Sequence, residues 1–208
     1  MIVAGLTGSI GMGKSTAAAT LRHLGCPVHE ADKVVHRLME KGGEAAPLIK
    51  KAFSEAVPEV IKHGAVDRAA LGEFVFGNDE ALDRLEAILH PLVRDDEESF
   101  LFRMAMRREK LVFLDIPLLF ETDAEERLDA TVLVTAPPFV QATRVLRRPG
   151  MTKARLAAVL SRQMPDAEKK RHADFVIQTG LSRGWTLRQL KQTVRLILQE
   201  FGREFESL

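Results

Sequence analysis

Short apolar runs alternate with helical patterns along the chain. Residues 2–6 are continuously apolar and include β-branched side chains, which is typical of a strand buried on both faces of a parallel sheet. After a glycine-rich turn, a helical pattern extends from about Lys14 to Leu24, and Gly25 ends it. A second strand then leads into an acidic turn at residues 30–32. This order of strand, helix and strand predicts a right-handed βαβ unit.

Strand patterns return only in the second half of the chain. Residues 33–108 carry almost no strand pattern and predict a helical insert. The predicted breaks between its helices are Gly42-Gly43, Pro58, Gly64, Gly77-Asn78 and His90-Pro91. Buried strands are predicted again at residues 111–115, 130–134 and 175–177. Five short strands separated by helices predict an α/β fold, in which a five-stranded parallel sheet is flanked by helices in three layers.

Charge is unevenly distributed although its total nearly cancels. The 208 residues include 30 Lys and Arg and 29 Asp and Glu, and this formal net charge of +1 excludes a globally basic nucleic-acid binder. Residues 73–98 hold nine acidic and two basic side chains, whereas residues 139–172 hold nine basic and two acidic ones. Both runs fit solvated helix faces, but the basic run also suits an anionic ligand.

Cysteine content and the N-terminus predict the compartment. The lone Cys26 excludes an internal disulfide and a multi-cysteine zinc site, and it is expected to be a small buried residue in a reducing compartment. The N-terminal apolar run is too short for a signal peptide or a membrane span and lacks a basic start. We therefore expect a cytoplasmic monomer or small homo-oligomer without membrane or nucleic-acid partners.

A phosphate-binding loop is the clearest chemical feature. Residues 8–15, G-S-I-G-M-G-K-S, match the pattern G-x-x-x-x-G-K-[ST] at every position, between a predicted strand and a predicted helix. Glycines allow the backbone N–H groups to converge on phosphate oxygens, Lys14 supplies a positive charge, and Ser15 can ligate Mg²⁺. The loop thus predicts a nucleoside triphosphate with Mg²⁺. Its predicted nucleotide-binding residues are Gly11, Met12, Gly13, Lys14, Ser15 and Thr16.

Other features narrow the class of phosphate-loop protein. The chain lacks Asn-Lys-x-Asp, the usual guanine-reading motif, and has no room for the modules of a large motor, which leaves a small kinase. Such a kinase needs a carboxylate near the acceptor hydroxyl, and Asp32 follows a predicted strand at the sheet edge where ligands collect. An acidic first turn of the next helix explains Asp32 equally well. Asp115, which closes a buried strand, fits either a Mg²⁺ ligand acting through water or a helix cap.

Taken together, the motifs resemble the dephospho-coenzyme A kinase family over nearly the whole chain. They are L-T-G-S-I-G-M-G-K-S at 6–15, E-A-D at 30–32, H-P-L at 90–92, D-I-P-L-L-F-E at 115–121, Q-A-T-R at 141–144 with Arg148, R-Q at 162–163 and A-D-F-V-I at 173–177. The phosphate loop is generic, whereas the P-L-L-x-E stretch and the H-P pair, in this order and spacing, are much more specific.

The resemblance implies ATP-dependent phosphorylation of the ribose 3′-hydroxyl of dephospho-coenzyme A, with release of ADP. On this resemblance Asp32 accepts or orients the hydroxyl proton, and Lys14 and Arg144 complete the catalytic set. Arg144 and Arg148 would lie on a lid and approach ATP when it closes, as bidentate donors to phosphate. The metal-holding residues would be Ser15 and Asp115.

The resemblance also implies an acceptor site and shows three departures from the family pattern. The implied acceptor-side residues are Thr7, Asp32, His90, Pro117, Leu118 and Glu121. His90 also fits a structural turn, and Glu121 also fits a surface salt bridge. The departures are Glu30 for the first Asp of the acidic pair, Pro149 in the lid turn, and Thr179 where an Asn usually follows the last strand.

The predicted domain organisation has three parts. Residues 1–32, 109–138 and 173–208 form the nucleotide-binding core, residues 33–108 the helical acceptor insert, and residues 139–172 the lid. Two alternatives stay open, a nucleoside monophosphate kinase and a nucleotide-binding module without turnover. The first needs a basic acceptor site, which the acidic half of the insert weakly disfavours, and the second has no need of a base at Asp32.

Overall fold

The computed structural model describes residues 1–202, which contain seven strands and nine α-helices. The strands are β1 (Ile2–Thr7), β2 (Val28–Glu30), β3 (Ile61–Lys62), β4 (Ala65–Val66), β5 (Leu111–Asp115), β6 (Ala130–Thr135) and β7 (Phe175–Gln178). The helices are α1 (Lys14–His23), α2 (Ala31–Met39), α3 (Ala45–Phe53), α4 (Arg68–Val75), α5 (Asp79–Met106), α6 (Pro138–Leu146), α7 (Lys153–Leu160), α8 (Asp166–His172) and α9 (Arg183–Glu200). A short 3₁₀ helix spans Ala124–Arg127.

The chain divides into two compact units. The first contains residues 1–29 and the chain from Met104 onward, and the second contains Glu30–Arg103. The predicted lid, residues 139–172, belongs to the first unit by this division. Residues 203–208, the end of the predicted core, lie outside the described residues.

A five-stranded sheet organises the first unit, and its strand order is β2-β5-β1-β6-β7. The prediction of a parallel sheet flanked by helices is confirmed. In the parallel register Leu6 lies opposite both Asp115 of β5 and Val132 of β6, and Thr135 lies opposite Gln178. The carboxyl ends of these strands therefore meet at one edge, where ligands of open α/β sheets bind.

Both faces of the central strand are buried, which explains its continuous apolar sequence. On one face Ala4 packs in a cluster with Leu21 of α1 and Leu190 of α9. On the other face the chain approaches so closely that a Cβ on Gly5 would lie 2.4 Å from Cδ1 of Leu119. A strand covered on both sides needs apolar residues at every position, without polar alternation.

The second unit is helical, as the sequence predicts, with one exception. Its core is a cluster that includes Ile49, Phe53 and Leu71. The exception is an antiparallel hairpin of β3 and β4, whose turn at His63 and Gly64 has positive φ angles of 54° and 85°. The prediction of almost no strand in the insert missed this hairpin, because strands of two residues are too short to show alternation.

Helix α5 corrects a second prediction. The sequence predicts that His90-Pro91 separates two helices, but α5 runs through Pro91 for 28 residues. A proline there removes the hydrogen bond that an amide at 91 would donate to the carbonyl of Ala87. Buried Leu85 and Leu89 anchor the preceding turns in the core, and Pro91 itself is exposed. Packing of the apolar face thus outweighs the local cost of the proline.

Cys26 is free and 8% exposed, which confirms the prediction of a small buried residue. Burial, with a smaller contribution from the negative charge of Glu109, raises the pKa of its thiol. Across residues 1–202, every helix is too short or too polar to cross a lipid bilayer.

Replacing Pro91 with Ala should stabilise the protein by about 1–3 kcal/mol. A proline in a helix interior costs about 3 kcal/mol relative to alanine, and its restriction of the unfolded chain offsets only about 1 kcal/mol of that. Thermal and urea unfolding of both proteins measure the difference. Asp83→Ala, at another exposed position of α5, serves as the control and should change stability much less. A Pro91→Ala variant no more stable than the wild type would show that the proline fits α5 without cost.

Candidate active site

The phosphate loop takes a backbone path that requires glycine. Gly11 and Gly13 have φ angles of 76° and 98°, in the left-handed region that residues with a side chain rarely adopt. A Cβ on Gly11 would lie 2.5 Å from Cγ2 of Val145, and one on Gly13 would lie 3.0 Å from Oγ1 of Thr179. Both positions therefore require glycine, because the backbone conformation is left-handed and there is little room for a Cβ, as the motif predicts.

Helix α1 begins at Lys14, directly after the loop. Its N-cap, Gly13, makes no side-chain capping hydrogen bond, and the first turn contains no acidic residue. Ser15 and Thr16 are exposed there. The positive end of the helix dipole and a basic side chain thus coincide at the loop, which suits an anion.

Lys14 and Asp115 form a mostly buried ion pair at the sheet edge. Their Nζ and Oδ1 atoms are 2.5 Å apart, and their side chains are only 13% and 7% exposed. The sheet register produces this pair, because Leu6 before the loop lies opposite Asp115 at the end of β5. The structure therefore brings two of the sequence-predicted site residues together, a cation and a carboxylate in a setting with little solvent screening.

The donor set at this edge fits Mg²⁺ only with help from a ligand. Over residues 1–202, no group of three or more His, Cys, Asp or Glu side chains could hold a metal ion. Mg²⁺ is commonly held by one or two protein oxygens together with phosphate and water. The exposed hydroxyl of Ser15 and the carboxylate of Asp115 have the right chemistry for such a shared site.

Helix α6 holds the loop through two polar side chains one turn apart. Gln141 donates from Nε2 to the carbonyl of Ile10 at 2.9 Å. Arg144 donates from Nη1 to the carbonyl of Gly11 at 3.4 Å and to Oγ1 of Thr179 at 3.0 Å. Its Nη2 donates to the carbonyl of Thr179 at 2.7 Å. Arg144 thus already lies against the loop, whereas Arg148, beyond the end of α6, is exposed.

Met12 is fixed at both its backbone and its side chain. Its carbonyl accepts a hydrogen bond from Oγ1 of Thr179 at 2.5 Å, and its sulfur accepts one from the backbone N–H of Ala136 at 3.1 Å. Only 3% of Met12 is exposed. The middle of the loop is therefore attached to the residues that follow β6 and β7.

A residue of the predicted lid also contacts the loop. The backbone N–H of Ile10 donates to Oε1 of Gln163 at 3.2 Å. Gln163 lies between α7 and α8, within the basic segment that the sequence predicts to be a lid.

Glu121 has protein partners within the first unit. Its Oε1 lies 2.8 Å from Nζ of Lys169, which is fully buried, and it accepts a hydrogen bond from the backbone N–H of Met164 at 2.8 Å. The carboxylate, itself 15% exposed, thus joins the segment after β5 to helix α8. Of the two interpretations that the sequence leaves open, a salt bridge is present, but it is buried and does not lie on the surface.

Thr7 and Pro117 lie together. The hydroxyl of Thr7, which is fully buried, donates to the carbonyl of Pro117 at 3.2 Å. Leu118 is 38% exposed, and its carbonyl accepts from the hydroxyl of Thr122 at 2.8 Å. Thr7 and Pro117 therefore hold the turn after β5 through their hydrogen bond, whereas Leu118 presents an apolar side chain to solvent.

The remaining predicted acceptor-side residues belong to the second unit. Asp32 lies in the first turn of α2 and is exposed, so a favourable contact with the helix dipole and access for a substrate hydroxyl are compatible. Its neighbour Glu30, where the sequence departs from the family, pairs with Lys33 at 2.5 Å. His90 is exposed on α5.

The sequence analysis gives no role to four residues that support the site. Gln141 and Gln163 belong to the motifs that carry the family resemblance, Thr179 is one of the departures from the family pattern, and Lys169 is not singled out at all. The spacing of Gln141 and Arg144 predicts only that they share one helix face. All four residues contact positions distant in the chain, and no local pattern predicts such contacts.

Comparisons with known proteins agree on one family. A model of the dephospho-CoA kinase family matches residues 1–182. The dephospho-CoA kinase of Paramagnetospirillum magneticum is 59% identical over 170 residues, which cover 82% of this chain and 78% of that protein.

Two solved structures share the fold over nearly the full length. A protein from Thermus thermophilus, TT1252, superposes with a TM-score of 0.81 at 38% identity, covering 95% of this chain and 97% of that one. The dephospho-CoA kinase of Campylobacter jejuni gives a TM-score of 0.70 at 29% identity, covering 94% and 96% of the two chains.

Replacing Glu121 with Gln should destabilise the protein by about 3–5 kcal/mol. The substitution leaves the buried ammonium of Lys169 without its counter-charge, which costs this much when one partner of a buried ion pair is removed. Urea unfolding measures the loss, and the double variant Glu121→Gln/Lys169→Met should recover most of it. Glu80→Gln is the matched control, because it breaks the exposed pair of Glu80 with Arg84 and should leave stability unchanged. Equal effects of Glu121→Gln and Glu80→Gln would contradict the assignment.

Proposed function

Because this chain belongs to the dephospho-coenzyme A kinase family, we propose that it transfers the γ-phosphoryl group of ATP to the ribose 3′-hydroxyl of dephospho-coenzyme A. The hydroxyl oxygen forms a bond to phosphorus, the bond from phosphorus to the departing ADP oxygen breaks, and the hydroxyl proton leaves. The products are coenzyme A and ADP, so this is the last step of coenzyme A biosynthesis. The observation that carries the proposal is the phosphate loop before α1, whose backbone path requires glycine. It lies in a chain whose first 182 residues match the family.

Lys14 exchanges partners when the triphosphate binds. In the structure its ammonium pairs with Asp115 beside the loop. Phosphate oxygens in the loop carry more negative charge than one carboxylate and accept from backbone N–H groups as well. Lys14 moves to the β and γ phosphates, and Asp115 stays at the same edge.

Arg144 neutralises charge on the transferred group without a large movement. Three of its five N–H donors bond to Gly11 and Thr179, so two remain for phosphate oxygens. Phosphoryl transfer depends on positioning and charge neutralisation more than on covalent chemistry, and a guanidinium held in this way supplies both. Arg148 is exposed and joins as a second donor from the lid.

Ser15 and Asp115 would hold Mg²⁺, Ser15 directly and Asp115 through water. When bound, the ion neutralises part of the charge on the β and γ phosphates. The hydroxyl and the carboxylate support this role because both belong to the loop edge and are oxygen donors, which Mg²⁺ prefers.

Asp32 accepts or orients the proton of the ribose hydroxyl. Its exposure supports this role, because a group that meets a substrate hydroxyl must be accessible. His90, Pro117 and Leu118 contribute to acceptor binding. Thr7 and Glu121 have protein partners, which supports a part in shaping the acceptor site.

The domain roles follow from the same proposal. The insert of residues 33–108 receives the acceptor, which the separation of Glu30–Arg103 as a compact unit supports. Residues 139–172 act as a lid over the nucleotide. The enzyme works in the cytoplasm as a monomer or small homo-oligomer, and the lone free cysteine supports a reducing compartment.

An acceptor screen tests the reaction. Pure protein with MgATP should release ADP when dephospho-coenzyme A is added, and adenosine and uridine monophosphates should give no more than the acceptor-free background. A coupled assay for ADP measures this. Phosphorylation of a nucleoside monophosphate would assign a different kinase, and nucleotide binding without any acceptor-dependent ADP would indicate a binding module.

Asp32→Asn should lower kcat by about 10²-fold or more while the dissociation constant of MgATP stays near the wild-type value. The amide keeps the shape of the side chain but cannot take a proton, and general-base catalysis typically contributes at least this factor. Steady-state kinetics and calorimetric titration measure the two quantities. Asp83→Asn, at an exposed position of the same unit, is the matched control. Unchanged turnover in Asp32→Asn would remove this residue from the mechanism.

A further inference from the structure

Thr179 occupies a junction of three elements at the phosphate loop. It follows β7 directly and is 8% exposed. Its backbone N–H donates to the carbonyl of Thr135 at the end of β6, at 2.8 Å. Its hydroxyl lies 2.5 Å from the carbonyl of Met12 and 3.0 Å from Nη1 of Arg144. One small side chain therefore contacts both the loop and a predicted catalytic arginine.

The hydroxyl has one proton to donate, and the distances indicate its acceptor. The carbonyl of Met12 at 2.5 Å is much closer than that of Thr135 at 3.3 Å. The hydroxyl oxygen can then accept from Arg144 at 3.0 Å, because a hydroxyl donates once and has two lone pairs. Donation to Met12 also leaves a lone pair turned toward the guanidinium, so the two bonds support one another.

The bond to Met12 fixes the orientation of a peptide group inside the loop. Met12 lies between Gly11 and Gly13, and glycine permits many orientations of the adjoining peptide planes. A trans peptide is planar, with its C=O and N–H pointing in opposite directions. Holding the carbonyl of Met12 toward Thr179 therefore turns the N–H of Gly13 away from it. Loops of this kind bind phosphate through backbone N–H groups, so the orientation of this amide matters for binding.

The same residue also holds the guanidinium plane of Arg144. Nη1 donates to the hydroxyl of Thr179, and Nη2 donates to its carbonyl at 2.7 Å. Two contacts from one residue restrain the rotation of the planar group as well as its position. Loss of the hydroxyl would leave one contact to this residue and a freer guanidinium.

We infer that Thr179 is a positioning residue for phosphoryl transfer, whose hydroxyl fixes the Met12–Gly13 peptide and Arg144 in one arrangement around the nucleotide phosphates. The inference rests on the proposed function, because it takes the loop and Arg144 as the triphosphate-binding groups. Thr179 does not itself contact the substrate in this mechanism. It acts through the amide of Gly13 and the guanidinium of Arg144.

Thr179→Val tests the inference, because valine keeps the shape and removes the hydroxyl. We expect kcat to fall about tenfold or more and the dissociation constant of MgATP to rise, while KM for dephospho-coenzyme A stays within about twofold of wild type. Thr179→Ser, which keeps the hydroxyl, should retain most of the activity. Thr193→Val is the matched control, since Thr193 is equally buried, at 6% exposure, on α9 of the same unit.

The outcomes separate a positioning role from a structural one. A merely structural residue would lower the midpoint of thermal unfolding without changing kcat or MgATP affinity below the midpoint. Thr179→Val with the kinetics and nucleotide affinity of Thr193→Val would overturn the inference, and so would equal losses in the Val and Ser variants. If Thr179→Val does not fold, Thr179→Ser and Thr179→Ala provide the same comparison, because they differ only by the hydroxyl oxygen.

Measuring MgATP binding also distinguishes a failure of this inference from a failure of the proposed function. Calorimetric titration with MgATP needs no acceptor, so it reports on the loop even if dephospho-coenzyme A is not the substrate. Suppose that Thr179→Val binds MgATP more weakly than the wild type and that the wild type does not phosphorylate dephospho-coenzyme A. This result would support the loop-positioning role and reject dephospho-coenzyme A as the acceptor. If the wild type is active and Thr179→Val has the same MgATP affinity and kcat, the inference is rejected and the proposed function stands.

Discussion

The phosphate loop depends on contacts from outside it for its shape, because its glycines leave many conformations open. Its own backbone adds a hydrogen bond from the N–H of Met12 to the carbonyl of Ser9. Hydrogen bonds from elsewhere in the first unit hold it. Gln141 and Arg144 reach it from α6, Ala136 from the end of β6, Thr179 from the end of β7, and Gln163 from the basic segment. A loop restrained before the nucleotide arrives loses less conformational entropy on binding, so more of the binding free energy remains for catalysis.

The sheet topology makes these contacts possible. Because β6 lies beside β1 and β7 lies beside β6, the residues after these strands come to the loop on one side. On the other side β5 ends at Asp115, which meets Lys14. Hydrogen-bonding side chains and a basic helix start thus lie around the loop, with the carboxylate of Asp115 at its edge. This arrangement explains how a chain with a net charge of +1 can favour a polyanionic ligand.

The sequence predicts the elements of the first unit well and the contacts between them poorly. The run at 111–114 is apolar throughout because β5 is buried on both sides, so composition alone locates it. Pro91 shows the opposite case, since the local rule ends a helix there but packing of the surrounding turns sustains it. The site follows the same division. The loop motif is local and the sequence predicts it, whereas the bond from Thr179 to Met12 spans 167 positions and depends on the strand order.

Crystal structures of the protein alone and with Mg²⁺ and a non-hydrolysable ATP analogue test most directly whether the loop is formed in advance. We expect the Cα atoms of residues 8–15 to agree within about 1 Å, the shift typical of pre-organised interfaces. The hydroxyl of Thr179 should bond to the carbonyl of Met12 in both structures, and Lys14 should leave Asp115 for the phosphates in the second. A loop that takes a different backbone path without nucleotide, or a Lys14 that stays on Asp115 with the analogue bound, would contradict this mechanism.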